Sequence, residues 1–81
     1  MGIDELEWEM RKTAEECCEL ATVLIQQLNK PHRDLEDEIV EELGDVIFRI
    51  ERLKRHYDND KVTKRVLKKI VKEESRNANS K

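Results

Sequence analysis

The stretch "NKPHRD", Asn29 to Asp34, decides the fold, because it separates two long segments whose apolar residues follow a helical pattern. Pro31 cannot continue a helix, and it disfavours helical geometry at the residue before it. Asp34 can cap a following helix, since its carboxylate can accept hydrogen bonds from the first free backbone N–H groups. Two long helices joined by so short a connection must pack antiparallel. The sequence therefore predicts a helical hairpin.

On both sides of this connection, apolar residues recur in steps of four and three, the spacing of one face of an α-helix. We predict a first helix from about Asp4 to Asn29 and a second from about Leu35 to Tyr57. The two apolar stripes are expected to form the seam along which these helices pack. The stripes are Met10, Ala14, Cys17, Ala21, Leu24 and Leu28 on the first helix, and Ile39, Leu43, Val46, Ile50, Leu53 and Tyr57 on the second.

A third, short helix is predicted for "KVTKRVLKKIVKEE", Lys61 to Glu74, after the turn-favouring residues of "HYDND". Its apolar residues lie on one side, and lysines and arginines cover the rest. Residues 76–81 are polar, and we expect them to form a disordered tail after a single domain at residues 1–75. The expected fold class is all-α, an antiparallel helical hairpin followed by a short C-terminal helix.

The two hairpin helices carry more apolar surface than one partner helix can cover. Ile25, Val40 and Ile47 lie well off the predicted stripes. A chain of 81 residues is also marginal as an isolated domain, and small domains often gain stability by oligomerisation. We therefore expect a homodimer or homotetramer in which hairpins from two subunits form a four-helix bundle.

Charge is distributed unevenly along the chain. The formal net charge is −3, but residues 1–45 carry fourteen acids and four bases, whereas residues 46–81 carry five acids and twelve bases. This asymmetry is typical of a site where cations and anions meet, or simply of two solvated faces that attract each other. The N-terminus is acidic rather than apolar, and no apolar run approaches the roughly 18 residues of a membrane span. We expect a soluble, cytoplasmic protein that does not enter a membrane.

The adjacent cysteines Cys17 and Cys18 invite a redox or metal interpretation, which their surroundings do not support. A disulfide between neighbours on a helix would be badly strained, so we expect reduced thiols. No histidine or second cysteine pair lies within reach, which argues against zinc binding and thiol catalysis. We expect Cys17 to pack in the core as a small apolar residue and Cys18 to be more exposed.

The candidate site consists of acids on both helices. Glu16 and Glu19 lie one turn apart beside the first stripe, and Glu42 and Asp45 lie one turn apart beside the second. Glu19 is twelve residues before Pro31 and Glu42 eleven after it, so the two pairs fall at the same level of the hairpin.

Four carboxylates at one level repel one another and favour a hard divalent cation, Mg²⁺ or Mn²⁺. The alternative is that these acids are solvated faces without a ligand. Di-iron sites in helical bundles also need histidines at fixed spacing, which neither His32 nor His56 provides.

The sequence "EECCE", Glu15 to Glu19, followed after 22 residues by the E-x-x-D pattern of Glu42 and Asp45, resembles a known signature. Over about residues 10–57 the chain is similar to MazG-type nucleoside triphosphate pyrophosphohydrolases, whose pattern is E-E-x-x-E, a gap, then E-x-x-D. The wording of "EELGDVIFRI" is also similar to the second core helix of that family.

The resemblance implies Mg²⁺-dependent cleavage of a nucleoside or deoxynucleoside triphosphate between its α and β phosphates, giving the monophosphate and pyrophosphate. The implied metal ligands are Glu16, Glu19, Glu42 and Asp45. Glu15 and Glu16 are the candidate catalytic residues, with Glu15 either positioning the attacking water or simply solvated. The chemistry agrees, because a metal screens phosphate charge and lowers the pKa of bound water.

Substrate contacts are predicted outside the acids. Trp8 could stack on a nucleobase, or it packs in the core or an interface. The phosphate chain needs positive charge, for which the candidates are Lys61, Lys64, Arg65 and Lys68 on the third helix. These bases could equally solvate that helix and pair with the acidic half of the chain.

Two other functions compete with the hydrolase. Nucleic acid is not an expected partner, because the basic segment lacks aromatic interleaving and a recognised fold. A non-catalytic helical oligomerisation or regulatory interaction module is the alternative to the enzyme. Such a module has no need for four carboxylates at one level of the hairpin.

Overall fold

A computed structural model of the chain describes residues 3–79, which form three α-helices and no strand. Helix α1 spans Ile3–Asn29, α2 spans Glu36–Lys54 and α3 spans Asn59–Asn79. The all-α prediction is confirmed. None of the three helices contains a stretch apolar enough to cross a bilayer.

The side chain of Gln27 makes hydrogen bonds across the connection between α1 and α2. Its amide nitrogen donates to the carbonyl of Arg33 at 2.6 Å, and its amide oxygen accepts from the N–H of Leu35 at 2.9 Å. The prediction that Asp34 caps α2 was wrong, because the N-cap residue is Leu35, which makes no side-chain cap hydrogen bond. Asp34 lies one position earlier, and its Oδ1 accepts from the N–H of Glu36 at 3.0 Å. Leu35 is buried against the hairpin. The chain therefore reverses direction within a fixed turn.

Contacts at the other end of the hairpin confirm that α1 and α2 run antiparallel. Thr13 Oγ1 lies 3.4 Å from the carbonyl oxygen of Arg49, and Glu9 Oε1 lies 4.0 Å from Arg52 Nε. Residues early in α1 thus contact residues late in α2, while Gln27 contacts the start of α2.

The packed faces differ from the predicted seam, which was wrong for α1 and partly right for α2. On α1 the residues facing α2 come one position before the apolar stripe. The buried or half-buried residues of the packed faces are Leu6, Glu9, Thr13, Glu16, Leu20, Val23 and Gln27 on α1, and Ile39, Glu42, Val46, Arg49, Leu53 and His56 on α2. Both faces of α1 have the same helical spacing, so periodicity alone does not decide which one packs. The acids expected beside the seam consequently lie in it.

The predicted stripe of α1 and part of that of α2 form an exposed surface, the outer apolar face. One step along a helix rotates the side chain by about 100°. Because α1 and α2 are antiparallel, the residues that come one position after the packed residues lie on the same side of the hairpin in both helices. The outer apolar face comprises Met10, Ala14, Cys17, Ala21, Leu24 and Leu28 on α1 with Leu43, Ile47, Ile50 and Tyr57 on α2. Cys17 was therefore wrongly predicted to lie in the core of the chain, and it is exposed like Cys18.

Helix α3 begins at a cap formed by Asp58, whose Oδ1 accepts from the N–H of Asp60 at 2.9 Å. It packs closely against neither α1 nor α2. It is longer than predicted and includes residues 76–79, where we expected a disordered tail, because no breaker interrupts it and Lys69 pairs with Glu73 at 3.2 Å. Residues 80 and 81 of that predicted tail lie outside the described residues.

The three helices form a single layer. The molecule measures 45 × 33 × 14 Å, and its smallest dimension is close to the diameter of one helix with its side chains. Val23, Leu35 and Val46 are the buried apolar residues of the described part. On α3, Val66, Leu67, Ile70 and Val71 are exposed, whereas Val62 is half-buried.

Candidate metal centre

Three of the predicted ligands meet between α1 and α2. Glu16, Glu19 and Glu42 each contribute one carboxylate oxygen to a group in which all three oxygens lie within 4.8 Å of one another. Glu16 and Glu19 are one turn apart on α1, and the turn at Pro31 brings Glu42 to their level. We refer to these three residues as the carboxylate cluster.

The carboxylate cluster contains buried oxygens that lack a partner. Glu16 and Glu42 are half-buried between the helices, while Glu19 is exposed. The Oε2 atoms of Glu16 and Glu42 are inaccessible to solvent and have no hydrogen-bond partner. A buried acceptor without a donor is costly. Both residues also contribute an oxygen to the convergent group, so the residues fit a metal ion.

The electrostatics of the cluster favour protonation when no cation is present. Partial burial raises the pKa of the Glu16 carboxyl, and its hydrogen bond with Glu19 and repulsion by the Glu19, Asp45 and Glu42 charges raise it further. Burial likewise raises the pKa of Glu42, followed by the charges of Glu19 and Asp45. A divalent cation would oppose both shifts by favouring the ionised carboxylates.

Asp45, the fourth predicted ligand, lies at the edge of this arrangement. It is exposed and is not one of the three residues whose oxygens converge. Its charge nevertheless raises the pKa of both Glu16 and Glu42, so it lies near them. The four acids share one level of the hairpin, but only the first three converge on one point.

Glu15, the candidate water-positioning residue, contacts Lys12 rather than the carboxylate cluster. Its carboxylate lies 3.3 Å from Lys12 Nζ, and it is exposed on α1. It does not belong to the carboxylate cluster. A catalytic role for Glu15 stays a prediction.

The predicted substrate contacts are not gathered at the cluster within one chain. Trp8 is half-exposed on α1, and Lys12 Nζ lies 4.7 Å from the centre of its ring. The predicted phosphate-binding bases lie on α3, which stands apart from the hairpin. These bases are Lys61, Lys64, Arg65 and Lys68, all of them exposed.

Sequence reasoning missed a second polar group in the packed seam, toward the open end of the hairpin. Glu9 is 6% exposed, its Oε2 has no hydrogen-bond partner, and its Oε1 lies 4.0 Å from Arg52 Nε. Thr13 Oγ1 donates to the carbonyl of Glu9 at 2.6 Å. The guanidinium carbons of Arg49 and Arg52 lie 5.2 and 5.5 Å from the centre of the Phe48 ring. The sequence did contain a signal for this group, because Glu9 precedes Glu16 by seven residues and therefore lies on the same face of α1.

No family model, no curated protein and no solved structure matches this chain. The resemblance of the motif at Glu15, Glu16, Glu19, Glu42 and Asp45 to MazG-type enzymes stays a prediction. A function for this chain therefore has to rest on the chemistry of the carboxylate cluster and of the side chains around it.

Proposed function

We propose that this protein is a Mg²⁺-dependent pyrophosphohydrolase of nucleoside or deoxynucleoside triphosphates. The observation that supports the proposal most directly is the convergence of oxygens from Glu16, Glu19 and Glu42 within 4.8 Å of one another. Two of these residues are half-buried and carry an unpaired oxygen. Such a group is costly in a small hairpin unless it holds a cation.

The donor set favours a hard cation. The cluster offers carboxylate oxygens, with Asp45 nearby, and neither histidine nor thiol takes part in it. Mg²⁺ is bound in proteins by one or two carboxylates together with phosphate oxygens and water. Mn²⁺ accepts the same ligands. The cluster therefore suits an ion that arrives with, or binds, a polyphosphate.

In the proposed reaction, water attacks the α-phosphorus and the bond from that phosphorus to the bridging oxygen breaks. The products are the nucleoside monophosphate and pyrophosphate, and the water proton passes to solvent or to a carboxylate. A bound Mg²⁺ supplies charge screening and a lower pKa for bound water. Glu16, Glu19 and Glu42, with Asp45, would hold the ion, and Glu16 and Glu15 are the proposed residues that orient the water.

We further propose that the functional form is a homodimer, or a homotetramer built from it, in which outer apolar faces pack as a four-helix bundle. The chain exposes 6932 Å², whereas a compact protein of 9.7 kDa exposes about 5,100 Å². The excess, about 1,800 Å² over the whole chain with α3 included, is of the size that each subunit buries in an obligate dimer, roughly 1,000–2,500 Å². A second copy of this chain is therefore the occupant proposed for the outer apolar face.

Self-association of this kind leaves the carboxylate cluster accessible. Glu19 and Asp45 come one position before the packed residues Leu20 and Val46, whereas the residues of the outer apolar face come one position after packed residues. Glu19 and Asp45 therefore lie on the side of the hairpin opposite to the outer apolar face. Each subunit would keep its own open cluster.

The enzyme assay uses the purified full chain with Mg²⁺ and a panel of ribonucleoside and deoxyribonucleoside triphosphates, with pyrophosphate as the readout. Pyrophosphate release is expected from at least one nucleotide. Glu19→Gln should lower it by about a hundredfold or more, since one ligand charge is lost. Glu7→Gln is the matched control, because Glu7 is an exposed acid elsewhere on α1. Full activity of Glu19→Gln would contradict the ligand assignment.

A folded protein that releases pyrophosphate from no nucleotide in the panel would overturn the enzyme proposal. The alternative would then be a non-catalytic helical oligomerisation or interaction module. The exposed outer apolar face supports self-association under either function. Separate measurements of oligomeric state and pyrophosphate release distinguish the two.

A further inference from the structure

Arg52 on α2 is held on two sides. Its Nε lies 4.0 Å from Oε1 of Glu9 on the opposite helix, and its guanidinium carbon lies 5.5 Å from the centre of the Phe48 ring. The Glu9 carboxylate is buried in the seam and fixed in position by its own burial. A planar guanidinium between a carboxylate and an aromatic ring loses little further freedom when it binds an anion.

The remaining hydrogen-bond donors of Arg52 are available. A guanidinium has five N–H donors, and only Nε is directed at Glu9. The side chain of Arg52 is 43% exposed, and its only ion pair in the described part of the chain is the one with Glu9. Two parallel N–H donors of this kind match two oxygens of a phosphate group.

Arg52 lies on the same side of the hairpin as the open edge of the carboxylate cluster. It follows Asp45 by seven residues, which is two helical turns along the same face of α2 and about 10 Å along the axis. Long side chains on a helix lean toward its N-terminus, which here is the direction of Asp45 and Glu42. Arg49, one turn after Asp45, has its guanidinium 5.2 Å from the same Phe48 ring. Two cationic groups therefore follow Asp45 on α2, Arg49 by one turn and Arg52 by two.

We infer that Arg52, assisted by Arg49, binds the part of a polyphosphate chain that extends beyond a metal ion on the carboxylate cluster, and that Glu9 is its positioning residue. The inference rests on the proposed function. A triphosphate carries more charge than one divalent ion neutralises, so a cation beside the ion is needed. The bases of α3, in contrast, lie apart from the hairpin in the same chain. The ligand class is a polyphosphate, free or esterified to a nucleoside.

Calorimetric titration of the full chain with inorganic tripolyphosphate in Mg²⁺ tests the inference without catalysis. Arg52→Ala should weaken binding by about tenfold or more, since hydrogen bonds to charged groups are lost. Arg52→Lys should recover part of the affinity, because lysine restores charge but not paired donors. Arg33→Ala, which removes an exposed arginine in the connection between α1 and α2, is the matched control and should bind within about twofold of the wild type. Equal losses for Arg52→Ala and Arg33→Ala, or no loss for Arg52→Ala, would overturn the inference.

Positioning by Glu9 has its own test. Glu9→Gln keeps the Arg52 charge but removes its partner, and should weaken tripolyphosphate binding by a smaller factor than Arg52→Ala. In the double variant Glu9→Gln with Arg52→Ala, no further loss is expected, because Glu9 acts through Arg52. This double variant also removes the buried carboxylate that Arg52→Ala leaves without a cation. Additive losses would refute the positioning role.

The outcome separates this inference from the proposed function. Arg52-dependent binding of tripolyphosphate without hydrolysis of any nucleotide would support the polyphosphate site and overturn the enzyme. If a nucleotide is hydrolysed, Arg52→Ala should raise KM more than it lowers kcat. Hydrolysis with an unchanged KM would overturn the role of Arg52 and leave the enzyme proposal standing.

Discussion

Glu16 on α1 and Glu42 on α2 face each other across the hairpin, and each has one oxygen that is inaccessible to solvent and without a hydrogen-bond partner. They are 26 positions apart in the sequence, and the turn at Pro31 brings their oxygens within 4.8 Å. Partial burial, together with neighbouring carboxylates, raises the pKa of both. The stability of the hairpin should therefore depend on pH and, under the proposed function, on divalent cations.

Mg²⁺ should stabilise the fold. An ion that binds the folded state alone adds about 1.4 kcal/mol to the free energy of unfolding at ten times its dissociation constant. In a domain of this size that corresponds to a rise in Tm of roughly 6–11 °C. Thermal unfolding followed by circular dichroism, with Mg²⁺ and with a chelator, measures the shift. Glu16→Gln should reduce it strongly, and a full shift in that variant would exclude Glu16 as a ligand.

Without metal, the contribution of Glu16 and Glu42 to the stability of the protein should be larger at mildly acidic than at neutral pH. A carboxyl whose pKa is raised in the folded state binds its proton more tightly there than in the unfolded state. The stabilisation that such a carboxyl gives to the folded state is fully present when the pH is below the ordinary carboxyl pKa. It is lost as the pH rises through the raised pKa of the folded state. Comparing Tm against pH with the double variant Glu16→Gln and Glu42→Gln isolates this contribution. Parallel profiles for the two proteins would contradict the prediction.

Gln27 should matter for stability although it is not a candidate for chemistry. Gln27→Ala removes the contacts to the Arg33 carbonyl and the Leu35 N–H, which should cost about 1–3 kcal/mol in free energy of unfolding. Urea denaturation measures the loss. Gln26→Ala, at the exposed neighbouring position, is the matched control and should change little. Equal stabilities would show that the turn does not depend on this side chain.

The adjacent cysteines report on self-association. Cys17 lies on the outer apolar face, whereas Cys18 is one step further round the helix and outside it. In the proposed dimer, a thiol reagent should label Cys18 readily and Cys17 slowly, as measured in Cys18→Ser and Cys17→Ser variants. Ile47→Asp should abolish the protection and shift the sedimentation of the protein to that of a single chain. Equal labelling of both thiols in the unmodified assembly would place the interface elsewhere.

The sequence predicted the helices well because their signals are local. Pro31 and Asp34 fix the connection, and apolar spacing fixes helical periodicity on either side. The contact of Gln27 with Leu35 confirms the antiparallel arrangement that the short connection required. The length of α3 was underestimated because polar residues at its end carry no apolar periodicity.

The rotation of the helices about their axes was not predictable from apolar spacing. The more apolar stripe of α1, containing Met10 and Leu24, is exposed, and the packed face contains Glu9 and Glu16 instead. The grouping of the acids was nevertheless predicted. Their position along the hairpin depends on their distance in sequence from Pro31 and not on how each helix is rotated about its axis. The contact between Glu9 and Arg52 was missed, since charged residues in a seam give no apolar signal.

The single layer of helices has a consequence for how the folding of this protein depends on its concentration. A chain 14 Å thick has no interior of its own on either side, so folding and assembly would be one concentration-dependent equilibrium. On dilution the population of folded chains should then fall, and any activity per chain should fall with it. In the proposed dimer, the protein concentration would thereby set the fraction of chains that is folded.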